Sequence, residues 1–329
     1  MISYRKLAMR ILGRPLTFLG GGVYKARPLP QRAAALALTA ALLTGAAFPA
    51  FADTYYIEDG SITISAGTEA GTNKVEQDGK GTFNNDKDTI ISSKTNTASR
   101  NTVTIHTENK NDNVEVKLKD VNIDGRSQNK AAVSVTGSGN TTIELDGSNT
   151  LKSGSGHAGL EHNKTDTSGE LTIQDNDKNG SLKAAGGQYG AGIGGAGAAN
   201  DAQVKITGGK ITATGGEYGA GIGGGFKGSG DVTISGGEIN ATGGYLGAGI
   251  GGGEKGSGDV TITGGEITSA TGGKYGAGIG GGKEGRGDVT IEGNTEVNAA
   301  GGTGGAGIGG GYEDGAGIGG GTYGNAKNI

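Results

Sequence analysis

Apolar and polar residues alternate over short stretches in the C-terminal half of the chain, and the same stretches recur. The apolar positions belong to a phrase written four times. They are Val204, Ile206 and Ile211; Val232, Ile234 and Ile239; Val260, Ile262 and Ile267; and, more loosely, Val289, Ile291 and Val297. Alternation with period two predicts β-strands, because successive side chains of a strand point to opposite faces. Each copy therefore predicts two short strands.

A second phrase, GAGIGG, lies between these copies. It begins at Gly190, Gly219, Gly247, Gly276 and Gly305, at steps of 28 or 29 residues. Its Ala-Gly-Ile segment predicts a third strand, and its paired glycines predict tight corners. Three strands and three corners per repeat describe one coil of a β-solenoid, and a fixed period in this range is typical of such arrays.

Strand-like stretches also precede the glycine-rich repeats, within residues 101–187. Equivalent positions lie at steps of 27, 28, 33, 28, 28 and 29 residues, at Val116, Ile143, Leu171, Val204, Val232, Val260 and Val289. We therefore predict about seven stacked coils, with the extra residues of the longest step in a loop around 196–202. Coils stack about 4.8 Å apart, so an inner ladder is predicted from Ile193, Ile222, Ile250, Ile279 and Ile308.

The first 52 residues differ from the rest. They hold seven Lys and Arg and no acid, an apolar run at 33–47, and a small-residue site at 50–52, which together predict a secretory signal peptide. The run is shorter than the roughly 20 residues that a membrane-spanning helix needs. We predict a signal peptide at 1–52, an N-terminal cap and irregular first coil at 53–100, a β-helix at 101–311 and a degenerate or truncated last repeat at 312–329. The mature chain is predicted to be secreted and extracellular, at or outside the cell surface.

The amino-acid composition excludes some fold classes and some kinds of partner. Glycine supplies 74 of 329 residues, but it does not recur at every third position, which excludes collagen. Without the signal peptide, 22 Lys and Arg stand against 33 Asp and Glu, a net charge of about −11. Such an acidic chain lacks the basic patch that nucleic acid or anionic lipid requires, so neither is predicted as a partner. There is no cysteine, so stability must come from side-chain ladders and backbone hydrogen bonds.

Part of the chain resembles a known family. The stretches concerned lie within residues 114–187 and are VEVKLKDVNIDG, KAAVSV, NTTIELDGSNTLKSG, HAGLEHN, GELTI and GSLKAAGG. They resemble secreted, clostridial-type carbohydrate-binding β-helix proteins, whereas the YGAGIGGG copies resemble repeats of bacterial surface proteins. The resemblance implies an all-β, right-handed parallel β-helix (β-solenoid), here with about seven coils of 27–33 residues. It also implies acidic plant polysaccharide as the ligand class. Where that family has Asp-Gly-Ile, this chain has Ala-Gly-Ile, so metal and catalytic residues do not carry over.

Residues suited to catalysis are sparse. His157, Glu161 and His162 form the one cluster of histidines with an acid, and their spacing favours solvated side chains over a metal site. Asp120, Asp124 and Arg126 are residue types that a polysaccharide lyase uses, but roles in corner turns explain them more simply. No catalytic residue is predicted.

An acidic column follows from the repeat. Asp231, Asp259 and Asp288 occupy the same corner of three coils, about 4.8 Å apart. In the simpler interpretation each carboxylate accepts a backbone N–H of its own turn and faces solvent. In the alternative, the repulsion between like charges is relieved by a bridging Ca²⁺, which makes these three residues the candidate metal ligands. No other cofactor is predicted.

An aromatic column also follows. Tyr189, Tyr218 and Tyr275 each precede a GAGIGG copy, and Leu246 takes the matching place in the coil between, with Tyr245 beside it. Stacked tyrosines offer ring faces and hydroxyl groups to sugars, so the three tyrosines are the candidate ligand-binding residues. The alternative is a structural ladder that shields a sheet corner.

These features predict an exported, non-catalytic, carbohydrate-binding or adhesive β-helix module. Its partner would be a polysaccharide or surface glycan. Two other functions remain open, a structural surface spacer without a ligand and a polysaccharide lyase. A binder needs an exposed aromatic or hydrogen-bonding strip, a spacer needs uniform polar faces, and a lyase needs clustered acids beside a base.

Overall fold

A computed structural model describes residues 53–165, 167–198, 201–293 and 295–312, together with the backbone of 325–327. The predicted signal peptide and most of the predicted last repeat lie outside the described residues. In chain order the strands are β1 Thr54–Tyr56, β2 Ile62–Ala66, β3 Asn73–Gln77, β4 Gly81–Asp86, β5 Ile90–Ser92, β6 Val103–Thr107, β7 Asn113–Lys119, β8 Asn122–Asp124, β9 Val133–Gly137, β10 Asn140–Asp146, β11 Ser148–Lys152, β12 Leu160–His162, β13 Leu171–Gln174, β14 Ser181–Ala185, β15 Ile193–Gly194, β16 Ala202–Ile206, β17 Lys210–Thr214, β18 Ile222–Gly223, β19 Gly230–Thr242, β20 Ile250–Gly251, β21 Gly258–Thr271, β22 Ile279–Gly280, β23 Gly287–Ile291, β24 Glu296–Ala300, β25 Ile308–Gly309 and β26 Asn325–Lys327.

The strands form two sheets, and most neighbours in each sheet run parallel. One described sheet has 11 strands in the order β25, β22, β20, β18, β15, β12, β9, β6, β2, β3 and β4, and the other has the remaining 15. The described helices are two 3₁₀ turns, Ile57–Asp59 and Arg126–Gln128. The prediction of an all-β parallel β-helix of about seven coils is confirmed.

Each C-terminal coil contains the three predicted β segments, and in two of these coils two of the segments merge. β19 and β21 each run through both segments of the valine and isoleucine phrase and pair in parallel with each other. The chain bends within these strands at Gly237 and Gly265, where φ is 91° and 82°. Those values lie in the left-handed region that favours glycine. In the coils of β19 and β21, one of the three corners is therefore a bend inside a continuous strand.

The predicted inner ladder is confirmed. Ile193, Ile222, Ile250, Ile279 and Ile308 pair in register from coil to coil. The first four are fully buried and the last is 6% exposed. Burying each isoleucine contributes roughly 1.5–3 kcal/mol relative to leaving it in water, so the ladder is a main source of stability.

One equivalence drawn from the sequence is wrong. Ile143 of β10 pairs with Ile173 of β13 rather than with Leu171, so this step is two residues longer than predicted. A shift of two residues leaves the same side chains pointing inward, because side chains alternate with period two along a strand. The hydrophobic pattern alone therefore does not separate the two registers.

The extra residues of the longest coil also lie elsewhere than predicted. Leu171 pairs with Val204, and Ser181 pairs with Lys210. The number of residues between the partners is four smaller for the second pair than for the first, and the two pairs lie on either side of the corner between β13 and β14. Four of the extra residues thus belong to the corner 175–180, between β13 and β14. Ala202, at the end of the predicted loop, is instead fully buried at the start of β16.

At the N-terminal end of the 11-stranded sheet, the strands pair differently from the rest of that sheet. β2 pairs in parallel with β6 on one side and antiparallel with β3 on the other, and β3 pairs antiparallel with β4. The edge strand is consequently β4, whose side chains are largely exposed. Exposed polar edges of this kind limit pairing with further strands.

Candidate functional site: an aromatic edge

The predicted tyrosines lie in the turn that precedes the Ala-Gly-Ile strand of each coil. Backbone hydrogen bonds hold each turn onto the coil before it. The N–H of Tyr218 donates to the carbonyl of Gln188 at 3.0 Å, and the N–H of Leu246 donates to the carbonyl of Glu217 at 3.0 Å. Side chains at this position therefore stack along the solenoid axis. We call positions 189, 218, 246 and 275 the tyrosine column.

A second column of side chains runs beside the first. The backbone N–H of Phe226 donates to the carbonyl of Tyr189 at 2.8 Å, and the N–H of Tyr312 donates to the carbonyl of Tyr275 at 2.9 Å. Glu254 and Lys283 occupy the same position in the two coils between. We call the tyrosine column, this second column and Tyr245 together the aromatic edge.

Sequence reasoning missed the second column, although a signal for it exists. Its four residues each stand seven positions after the start of a GAGIGG copy, at Phe226, Glu254, Lys283 and Tyr312. The repeat thus aligns them in sequence, but only the folded corners show that they lie beside the tyrosines.

Three rings form the first aromatic cluster. Tyr189 and Tyr218 stack nearly parallel, with centroids 5.1 Å apart and an interplanar angle of 8°. Phe226 packs against both at steeper angles, with centroids 5.8 Å from Tyr189 and 5.4 Å from Tyr218. The ammonium of Lys227 lies 5.1 Å from the centre of the Phe226 ring. Tyr189 remains 37% exposed.

Three more rings form the second aromatic cluster. Tyr275 packs edge-on against Tyr245 at 5.6 Å and tilted against Tyr312 at 5.3 Å. The ammonium of Lys274 lies 5.6 Å from the Tyr245 ring centre and 5.1 Å from that of Tyr275. Tyr245 and Tyr312 are 49% and 45% exposed.

The structure therefore brings two of the three predicted tyrosines together and sets the third apart. Tyr189 and Tyr218 share the first cluster, whereas Tyr275 belongs to the second. Leu246 separates the clusters, because it takes the place of a tyrosine in the intervening coil. The edge carries two short aromatic surfaces instead of one continuous strip.

The two clusters differ in their charge. The negative charge of Glu217, followed by burial, raises the pKa of Tyr218 above its ordinary value. A hydrogen bond with Lys274, together with the charge of that ammonium, lowers the pKa of Tyr275. The second cluster thus presents the positive charge of Lys274 to an approaching group, whereas Tyr218 of the first cluster lies beside the negative charge of Glu217.

The predicted acidic column is in register, as the repeat requires. Asp231 pairs with Asp259, and Asp259 pairs with Asp288. The carboxylate of Asp231 forms an ion pair with Lys164 at 2.9 Å, and this hydrogen bond raises the pKa of the lysine. The partner of Asp231 is thus an ammonium from another part of the chain, which neither interpretation of the column included. A calcium site here stays a prediction.

The histidine cluster does not have the solvated character that its spacing predicted. Glu161 and His162 are 7% and 2% exposed. Glu161 lies in register with Gly194 of the next coil. Its Oε2 accepts a hydrogen bond from the backbone N–H of Ala158 and lies 2.8 Å from Nδ1 of His157. These two contacts hold the carboxylate of this buried acid.

His162 makes the protein sensitive to acid. Its ring nitrogens lie 3.3 Å from the carbonyl oxygen of Val135 and 2.9 Å from that of Gly169. Burial lowers its pKa, with the two carbonyls opposing that effect. Because the folded state then binds fewer protons than the unfolded state, stability is lost as the pH falls below about 6.5, the ordinary histidine value.

We expect wild-type protein to unfold at a lower urea concentration at pH 5.5 than at pH 7.5. The His162→Gln variant should show a smaller difference between the two pH values, because glutamine does not titrate. The exposed His106 provides the matched control, and His106→Gln should behave as wild type does. Equal pH dependence in wild type and His162→Gln would contradict this assignment.

A cluster of three acids was not foreseen. Glu144, Asp175 and Asp177 are the group of potential metal ligands found in the described part of the chain, with ligand oxygens within 4.8 Å of one another. Glu144 is buried, and its oxygens accept hydrogen bonds from the backbone and side-chain nitrogens of Asn176, both at 2.8 Å. Burial raises the pKa of Asp175. The acids therefore hold the long corner 175–180 against the preceding coil.

Comparison with protein families supports the repeat. Residues 204–226, 232–254, 260–283 and 289–312 match the family model described as a beta helix repeat. These matches and the parallel solenoid support a right-handed β-helix family, and they include Tyr218, Tyr245 and Tyr275. No curated protein and no solved structure matched the chain. Among the described residues, no helix has the length and apolar character needed to cross a bilayer.

Proposed function

We propose that this chain is an exported, non-catalytic β-helix module that binds polysaccharide or a surface glycan along its aromatic edge. The observation that carries the proposal is the pair of exposed aromatic clusters on one edge of a rigid solenoid. Tyrosines with half-exposed rings supply an apolar face and a hydroxyl group at the same place, which suits the mixed surface of a sugar. Clustered exposed rings also commonly mark interaction sites.

The spacing of the clusters supports a polymer as the ligand. Tyr189 and Tyr275 are three coils apart, about 14 Å at the coil spacing. A surface of this length engages more than one sugar unit of a single chain, and successive contacts then gain from high effective concentration. Affinity should consequently rise with the length of the glycan.

The charges of the second cluster favour an acidic glycan there. The ammonium of Lys274 lies near the rings of both Tyr245 and Tyr275. It can therefore pair with the carboxylate of an acidic sugar that packs against either ring. The resemblance of residues 114–187 to carbohydrate-binding β-helix proteins points to acidic polysaccharide as well. The predicted signal peptide supports an extracellular setting.

The other candidate functions have less support. A passive spacer has no use for two exposed aromatic clusters on one edge. For a lyase, Arg126 is the basic residue near an acid, but its guanidinium is held by Asp124 at 2.6 Å. The same guanidinium lowers the pKa of Asp124. The charges of Arg126 and Asp124 neutralise each other, which favours a structural role for the two residues in the corner.

Removal of the predicted tyrosines should weaken glycan binding. We expect the triple variant Tyr189→Ala, Tyr218→Ala and Tyr275→Ala to bind at least about tenfold more weakly, since each aromatic contact contributes roughly 0.5–1.5 kcal/mol. Affinity electrophoresis in gels containing pectic, cellulosic or host glycans measures this loss. Tyr56→Ala is the matched control, because Tyr56 is 37% exposed but lies away from the edge.

Circular dichroism must show that the variants keep their β structure. Equal retardation of wild type and triple variant would return the tyrosines to a structural role. If wild type were not retarded in any gel, the spacer would become the better account.

A further inference from the structure

A hollow opens beside the first aromatic cluster. Its volume is about 590 Å³, and it is lined by Gly156, Tyr189, Gly197, Ala198, Phe226 and Lys227. This size is within the range of small-molecule sites. Its floor consists of glycine and alanine, and its walls are two aromatic rings with a lysine beside them.

The hollow exists because the tyrosine column is interrupted at Gly156. Leu160 pairs in register with Ile193, so Gly156 is the counterpart of Tyr189 in the preceding coil. A Cβ atom built on Gly156 meets no atom within 4 Å. The place that a further ring of the column would fill is therefore open.

Tyr189 has a parallel ring stacked on one of its faces. That ring belongs to Tyr218 in the following coil. The opposite face points along the solenoid axis toward the coil of Gly156, which has no side chain there, and Tyr189 lines the hollow. An apolar ring face thus borders an open space about one coil deep.

We infer that this hollow binds a single pyranose ring, which stacks on Tyr189 as the next member of the column. The inference rests on the proposed glycan-binding function and assigns a specific subsite to it. A chair-shaped sugar has C–H groups on both faces and fills one coil step of about 4.8 Å better than a flat aromatic ring does. The electron-rich face of tyrosine attracts those C–H groups.

The walls determine which sugar unit enters. Glycosidic bonds at the equatorial positions of a pyranose lie close to the mean plane of its ring. In the hollow, Gly156 belongs to the coil before Tyr189, and the ring of Phe226, tilted at 60° to that of Tyr189, lines one side. A glycan chain cannot continue through the ring of Phe226, so the bound unit is joined to the rest of the glycan on the other side only. The occupant is therefore an end unit or a side branch.

Gly156→Tyr tests the inference by filling the hollow with the protein's own ring. The substitution should not destabilise the fold, because the site is open and the backbone of Gly156 is not in the left-handed region. We would follow binding of cellotetraose and tetragalacturonate by saturation-transfer NMR, which reports the sugar unit that packs on the protein. Wild type should saturate one terminal unit most strongly, and Gly156→Tyr should bind that unit about tenfold more weakly.

Two further variants make the test specific. Tyr189→Ala removes the platform instead of filling the hollow and should abolish the same terminal signal. Thr63→Tyr adds a tyrosine at an exposed position of β2, which neither lines the hollow nor belongs to the aromatic edge, and should behave as wild type does. Thermal unfolding confirms that each variant is folded.

Several outcomes would overturn the subsite. They are uniform saturation of all sugar units, an unchanged terminal signal in Gly156→Tyr, or no signal from either tetrasaccharide. Binding of indole but not of sugars would reassign the hollow to flat aromatic ligands. In each case, retardation of wild type in glycan gels would show that the proposed function still stands, whereas its loss in every gel would remove both.

Discussion

Ile250→Asp is expected to lose several kcal/mol of folding free energy. Ile250 is fully buried and pairs in register with Ile222 on one side and Ile279 on the other. A carboxylate at this place has only apolar neighbours in the ladder, so it is either desolvated or forced to take up a proton. Losses above about 4 kcal/mol are expected from such buried charges. Urea unfolding followed by circular dichroism measures the effect.

Two control variants separate the effect of burying a charge from the effect of the charge itself and from the effect of changing the side chain's shape. Thr263→Asp places the same charge on an exposed position of β21 and should change stability little. Ile250→Val keeps the apolar character and should cost about 0.5–1.5 kcal/mol. Because each coil contacts mainly its neighbours, the aspartate should first unfold the coils next to it. A loss no larger than that of Thr263→Asp would mean that the ladder is not the core.

Gly244→Ala is expected to cost about 3 kcal/mol. Gly244 stands one residue before Tyr245, and its N–H donates to the carbonyl of Gly219 at 2.9 Å. A Cβ atom here would overlap the carbonyl oxygen of Gly216 in the preceding coil. The coils must separate locally to admit it, and overpacking of this kind costs roughly 1–3 kcal/mol or more. Thermal unfolding measures the loss.

Gly156→Ala is the matched control for this substitution. Gly156 lies in a turn of the same kind, but a methyl group added there meets open space. Alanine there should be neutral or stabilise by about 0.4–1 kcal/mol, because it reduces the freedom of the unfolded chain. Equal stability of the two alanine variants would contradict the close contact between coils. Since Gly244 adjoins Tyr245, its substitution should also weaken binding at the second aromatic cluster.

The coil architecture was predictable because a solenoid repeats its environment. In a parallel stack, each residue lies above its counterpart one period earlier, so Ile222, Ile250 and Ile279 meet without any long-range pairing to be guessed. The regular period of the GAGIGG copies, combined with two alternating segments in each repeat, leaves few other folds. The same logic placed Asp231 beside Asp259 and Tyr189 beside Tyr218.

Details that depend on corner shape were not predictable. The register of Ile143 with Ile173 differs from the predicted one by two residues, which the hydrophobic pattern does not detect. For the long corner, by contrast, the sequence did carry a signal, because residues 175–180 are more polar and turn-prone than residues 196–202. The burial of Glu161, whose carboxylate is held by Ala158 and His157, also depends on the shape of its corner and was not predicted.

By itself, the sequence determined the strand segments, their period and the side chains that stack along each column, because those depend on local alternation and on translation from coil to coil. The tertiary structure alone decided what lies between columns. Phe226 meets Tyr189 because the turn after one strand folds beside the turn before it, and the hollow over Gly156 is open because the column ends there. Contacts across a corner depend on backbone directions that no repeat period encodes.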